Sequence, residues 1–76
     1  MFEELKLILV DSLQVKEEDV LPTATREEIG LDSLAVLELV ELLNDRLGVR
    51  VYDYELLDTI TVADVAQLVD ERRTAS

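Results

Sequence analysis

The sequence predicts an all-α fold, a four-helix bundle with three main helices and one short one, on three observations. Apolar residues recur at three- and four-residue steps in three separate stretches. The stretches after the first open on residues that cap helices well, and one of them closes on Gly48. With 76 residues, no internal repeat and no second block of composition, the chain has room for a single domain, residues 1–76.

Phe2, Leu5, Ile8, Leu9 and Leu13 mark the amphipathic helix I, about residues 2–14. Residues 15–32 hold the only Pro, two Thr residues and Gly30, with Val15, Val20, Leu21 and Ile29 at no helical period. They are expected to form a long loop pinned by those buried aliphatics. A loop of that length suits a connection spanning the length of a bundle, between two helices that run the same way. Helix II, residues 33–47, opens on Asp32-Ser33 and ends at Gly48, the left-handed stop. Val49 to Val51 reads as a short strand-like link, followed by a one-turn helix III over 53–57 with Asp53 as cap. Thr61 caps helix IV, residues 61–73, where Val62, Val65, Ala66 and Val69 share a face. Arg72 and Arg73 suit its negative end, and the final Thr-Ala-Ser is expected to fray.

Composition removes most catalytic chemistry. There is no Cys and no His, so disulfides, thiolate or imidazole metal sites, Cys nucleophiles and His-based triads are excluded. Hydrophobic residues at 49% supply a core, while a domain this small leaves little interior for an enclosed pocket. Eighteen acidic against seven basic side chains give a net charge of −11, a field that repels nucleic acids and anionic membranes and steers basic partners inward. The opening Met1-Phe2-Glu3-Glu4-Leu5-Lys6 is acidic, and the longest aliphatic run, Leu7 to Val10, falls far short of the ~20 residues of a membrane span. A cytoplasmic, unprocessed monomer is expected. The acidity also raises a calcium-binding helix pair, but no alternating Asp/Asn loop with a central Gly and terminal Glu is present.

At roughly 100° per residue, Val36, Leu39, Val40, Leu43 and Leu47 gather on the core side of helix II. Leu34, Glu38, Glu41 and Asp45 fall opposite, flanked by Leu37 and Leu42, an arrangement that core packing does not require. This stripe reads as a docking face. Burying Leu34 against a partner would contribute about 1.5–3 kcal/mol, whereas an exposed carboxylate–Arg pair gives under ~1 kcal/mol. Leucine would hold, and the carboxylates would orient. For an arbitrary helix the plainer reading is a solvated acidic face beside an ordinary exposed leucine. Ser33 changes the odds: its hydroxyl lies at the positive end of the helix, where a phosphodiester would be stabilised. A serine that starts a helix needs no such role, so the surrounding residues must decide.

Those residues are Glu28-Ile29-Gly30-Leu31-Asp32-Ser33-Leu34-Ala35-Val36-Leu37-Glu38-Leu39. They resemble the Gly-x-Asp-Ser-Leu signature and following Glu-Leu of acyl carrier proteins. Val15 to Val20 and Asp58 to Val65 also resemble the family pattern, so the likeness covers nearly the whole chain. The resemblance implies the family's four-helix fold. It implies that a phosphopantetheinyl transferase, using coenzyme A and Mg²⁺, attaches 4′-phosphopantetheine to Ser33, and that the terminal thiol carries an acyl group as a thioester. It also implies that Asp32, Leu34, Leu37, Glu38, Glu41 and Asp45 meet basic surfaces on partners, among them acyltransferases or ligases and ketosynthase-type enzymes. The chain would then be no enzyme, its reactive sulfur arriving with the prosthetic group.

Ala35, Asn44 and Arg46 stand where carriers of fatty-acid synthesis usually place acidic residues, and Arg50 adds a further cation. With Gly-Leu-Asp-Ser-Leu-Ala-Val and Arg-Leu-Gly-Val, the chain is more similar to carriers of polyketide and other specialised pathways. Tyr52, Tyr54 and Phe2 are the only aromatics; two lie near helix III, which in this family borders a groove for the arm or its cargo, and a core-edge role is equally open. Two alternatives remain: a peptidyl, aminoacyl or D-alanyl carrier using the same serine, and an unmodified acidic interaction module in which Ser33 only starts a helix.

Overall fold

The computed structural model describes residues 2–74. Its helices are α1 (Phe2–Leu13), α2 (Ser33–Leu47), α3 (Asp53–Leu57) and α4 (Val62–Thr74), with a 3₁₀ turn at Glu17–Asp19. The architecture is therefore all-α, three long helices and one short one. Val49 to Val51 pairs with no strand; the one bridge among the described residues joins Thr25 to Thr61. Ala75 and Ser76, expected to fray, lie outside the described residues, and Thr74 belongs to α4.

Three helical segments stop in the same way, with a left-handed residue that turns the next N–H back onto an earlier carbonyl. At the end of α1, Gln14 takes φ 58° and the Val15 N–H donates to the Leu9 carbonyl at 3.0 Å. Gln14 is thus the stop of helix I, not its last residue. After α2, Gly48 takes φ 65°, and Val49 N–H donates to the Leu43 carbonyl at 3.2 Å. In the long loop a single helical turn ends at Gly30, φ 77°, where Leu31 N–H donates to the Arg26 carbonyl at 2.8 Å.

That turn has its own box at the start. Thr25 N–H donates to Glu28 Oε1 at 2.9 Å, and Glu28 N–H donates to Thr25 Oγ1 at 3.2 Å. The same reciprocal device opens α4, where Asp64 N–H donates to Thr61 Oγ1 and the Thr61 N–H donates to Asp64 Oδ2, both at 3.2 Å. On α3 the cap residue is Tyr52 rather than Asp53, because the Glu55 carboxylate reaches back to accept the Tyr52 N–H at 3.0 Å.

The helices do not run as the loop length suggests. The last residues of α1 (Ser12, Leu13) and the first of α2 (Leu34, Ala35) line one groove, so the two helices are antiparallel. Arg73 near the end of α4 pairs with Glu4 near the start of α1 at 2.8 Å, so α4 is antiparallel to α1 as well. The long loop therefore crosses one end of the bundle instead of travelling its length. What it does there is satisfy the start of α4: Val62 N–H donates to the Ala24 carbonyl at 2.9 Å and Ala63 N–H to the Pro22 carbonyl at 3.0 Å.

The core is one cluster. Leu5, Ile8 and Leu9 of α1 meet Val36, Leu39 and Leu43 of α2, Leu56 of α3, and Val62, Val65, Ala66 and Val69 of α4. Val40 and Leu47 pack at its margin. From the long loop come Val15, Val20, Ala24, Ile29 and Leu31, while Leu21, expected inside, is exposed. Its carbonyl starts a turn onto the Ala24 N–H, and Ala24 is the residue placed inward. No helix among the described residues is long and apolar enough to cross a membrane.

Candidate attachment and docking site

Ser33 is placed by the three residues before it. Gly30 supplies a backbone turn that only a residue tolerant of positive φ makes cheaply. A Cβ built there would meet nothing within 4 Å, so the requirement is conformational and the surface beside it is open. Leu31 is then driven into the core, and Asp32 is left outside in an extended conformation. Asp32 is the N-cap: its Oδ1 accepts the Ala35 N–H at 2.9 Å, and its carbonyl accepts the Val36 N–H at 2.9 Å. Ser33 follows as the first helical residue, exposed.

The cap satisfies one of the first-turn amides by side chain and leaves the others for an outside acceptor, at the positive end of a fifteen-residue helix. The open surface at Gly30, the exposed hydroxyl and this end-on field fit a serine-linked phosphodiester.

Leu34, Glu38, Glu41 and Asp45 all face solvent, with Leu34 66% exposed. Leu37, 49% exposed, widens this face, whereas Leu42 is partly buried and packs on the core. On the helical wheel Ser33 lies on the Leu37 side of the face, in a row with Leu37, Val40 and Asn44. Asp32, Ser33 and Leu34 thus form the leading edge of a surface that is aliphatic first and acidic behind.

Tyr52 and Tyr54 are not at the core edge. Both are exposed and their rings stack 5.6 Å apart, inclined by 7°, while Phe2 is the aromatic that packs against the core. Two arginines hold α3 between them, Arg26 from the long loop and Arg72 from the end of α4. Arg26 donates from Nη2 to the Leu57 carbonyl at 2.9 Å and from Nε to the Thr59 carbonyl at 3.2 Å. Arg72 donates from Nη1 to Glu55 Oε1 at 3.0 Å and from Nη2 to Glu55 Oε2. These Arg72 hydrogen bonds hold the Glu55 carboxyl below its ordinary pKa, against the opposing effect of burial. Nothing in residue spacing signals either contact, since both partners are far away in the chain.

Comparison with known proteins agrees with this geometry. The family model described as the phosphopantetheine attachment site matches residues 3–69. The acyl carrier protein of Helicobacter pylori strain ATCC 700392 / 26695 is 30% identical over 76 residues, covering 99% of this chain and 97% of the relative. Those of strains G27 and HPAG1 are each 29% identical over the same shares. The chain belongs to the phosphopantetheine-binding family of acyl carrier proteins, non-catalytic carriers that hold 4′-phosphopantetheine covalently.

Proposed function

We propose that Ser33 is the attachment residue and that the chain presents acyl groups to the enzymes of a polyketide-type or related specialised pathway. The observation that carries this reading is the exposed Ser33 hydroxyl on the first turn of α2, set there by the Gly30 turn and the Asp32 cap. The prosthetic group supplies a terminal thiol, on which an acyl group is held as a thioester. The protein's own part is to fix the tether point. The start of α2 favours the anionic linkage, Asp32 keeps that start from unravelling, and Leu31 anchors it in the core.

Partners approach over Asp32, Leu34, Leu37, Glu38, Glu41 and Asp45. They are a phosphopantetheinyl transferase and loading and condensing enzymes with basic surfaces, met in the cytoplasm. Leu34 provides apolar burial, and the carboxylates steer and select. The specialised-pathway assignment is supported by Ala35 near Ser33 and by Asn44, Arg46 and Arg50 toward the far end, which make the surface less uniformly negative.

The test uses coenzyme A, Mg²⁺ and a broad-specificity phosphopantetheinyl transferase, read by intact mass. Wild type should gain one phosphopantetheinyl group and Ser33→Ala none; an unchanged wild type would leave only the unmodified interaction module. Loading of the holo form by adenylating enzymes with an amino acid, and by no acyltransferase, would reassign it as an aminoacyl carrier. Charge reversal at Glu38 and Glu41 should slow modification at low salt while the melting temperature stays put. Equal rates would remove the docking role from those two positions.

A further inference from the structure

Of the three left-handed stops in the fold, one differs from the other two. Gly30 and Gly48 meet the positive φ without a side chain, although a Cβ at either would touch nothing within 4 Å. At Gln14, φ 58°, the chain carries a long side chain through a conformation that is cheap for glycine and routinely tolerated otherwise only by Asn and Asp. The fold gains no hydrogen bond in return: Gln14 is exposed, and its amide has no partner among the described residues.

What sets this stop apart is its surroundings. Gln14 lines a groove of about 340 Å³ where the end of α1 meets the start of α2, together with Asp32, Leu34, Ala35 and Glu38. No Lys or Arg borders it, and neither Asp32 nor Glu38 takes part in an ion pair among the described residues. The groove therefore offers two carboxylates and an amide oxygen as acceptors, beside the aliphatic side chains of Leu34 and Ala35. An arginine from outside fits this set. Its planar guanidinium brings five donors that serve several acceptors at once, while its methylene stem covers the aliphatic pair. A lysine ammonium, compact and strongly hydrated, has only three donors to share.

We infer that Gln14 is a specificity-determining residue of the docking face, its amide oxygen receiving, with Asp32 and Glu38, an arginine of the phosphopantetheinyl transferase. The face thereby extends from α2 onto the end of α1. The inference rests on Ser33 being the attachment residue and adds which residue outside α2 the modifying enzyme reads. The strained backbone is retained at Gln14 because glycine, which would relieve it, has no side chain to offer the partner.

The experiment measures kcat and KM for the apo-protein as substrate of a broad-specificity phosphopantetheinyl transferase, with coenzyme A and Mg²⁺ at low salt. Wild type is compared with Gln14→Gly, Gln14→Leu and Gln14→Glu, and intact mass confirms each transfer. Gln14→Gly removes side chain and strain together, whereas Gln14→Leu keeps the strain and removes only the amide. Both should raise KM by about three- to tenfold, the range one net hydrogen bond provides, at unchanged kcat. The urea midpoint of Gln14→Gly should not fall, which separates its weaker docking from any loss of fold. Gln14→Glu keeps an acceptor and adds charge, so its KM should match or fall below that of wild type. A wild-type KM in Gln14→Leu, a rise confined to Gln14→Gly, or a rise in Gln14→Glu equal to that in Gln14→Leu would overturn the inference while the Ser33 assignment stands. No mass gain in the wild type would overturn both.

Discussion

The two ends of the bundle are held by different forces. At the Ser33 end α1 stops and α2 and α4 start, and the contacts are caps, reciprocal boxes and loop carbonyls that receive helix N–H groups. At the opposite end α4 finishes against the start of α1 and the first turn of α3, and the ties are the ion pairs Arg73–Glu4 and Arg72–Glu55. Short, directional hydrogen bonds to neutral N–H donors fix a tether point closely and respond little to salt. Pairs between long side chains, exposed at Arg73–Glu4 and part-buried at Arg72–Glu55, fix less, and salt screens the exposed one most. With Ser33 as the proposed attachment residue, a carrier gains from this division, because that residue must be presented uniformly to every partner whereas α3 need not be.

Arg26 tests the division most severely, because it links the two regimes: a charged side chain from the Ser33 end whose acceptors are the neutral carbonyls of Leu57 and Thr59. In Arg26→Met the Thr59 carbonyl loses a partner at a part-buried position and the Leu57 carbonyl at an exposed one, a cost of about 1–2 kcal/mol. Urea denaturation should show that loss at low and at high salt alike. A loss that disappears in high salt would place Arg26 with the ion pairs and erase the contrast.

Gln14 probes the same end by removing strain. A side chain at φ 58° costs roughly 1–2 kcal/mol, and glycine returns part of that through its greater unfolded-chain entropy, about 0.5–1 kcal/mol. Gln14→Gly should therefore stabilise by about 1 kcal/mol or less, seen as a higher urea midpoint at unchanged slope. Destabilisation would mean that the Gln14 side chain makes an interaction the exposed position does not suggest.

How much of this was legible in the sequence depends on the range of the interaction. Periodicity located the buried faces of α1, α2 and α4, and the acidic face of α2 emerged where Leu34, Glu38, Glu41 and Asp45 were expected, because these depend on residues within one or two turns. The loop departs from the sequence expectation at Leu21 and in its direction, because its burial pattern is set by which carbonyls reach α4. Thr25 and Glu28 did carry a visible Thr-x-x-Glu box, obscured because no periodic apolar run follows it. At α3, Glu55 moved the cap from Asp53 to Tyr52 by reaching back to its N–H while Arg72 held the carboxylate from across the bundle. The exposed setting of Ser33 needed the Gly30 turn and the burial of Leu31 together, and only the second of these is a matter of hydrophobicity.

The smallest expected effect is the most specific one, the response of the opposite end to salt and acid. Raising salt should speed amide exchange in α3 and the last turn of α4 while the first turn of α2, closed by Asp32, is unchanged. Acid acts through three carboxyls whose folded pKa values lie below the ordinary ones: Glu4, by its hydrogen bond from Arg73; Glu55, by those from Arg72; and Asp64, by the N–H groups of Thr61 and then Ile60. Because folding lowers these pKa values, their stabilisation is complete above the ordinary carboxylate range and is lost as pH falls through the lowered values. Glu4→Gln and Glu55→Gln should flatten the acid limb of the stability curve and abolish the salt response together, whereas Asp64→Asn should flatten the acid limb alone. If Asp64→Asn removed the salt response too, the two ends would be coupled and the contrast between them would fail.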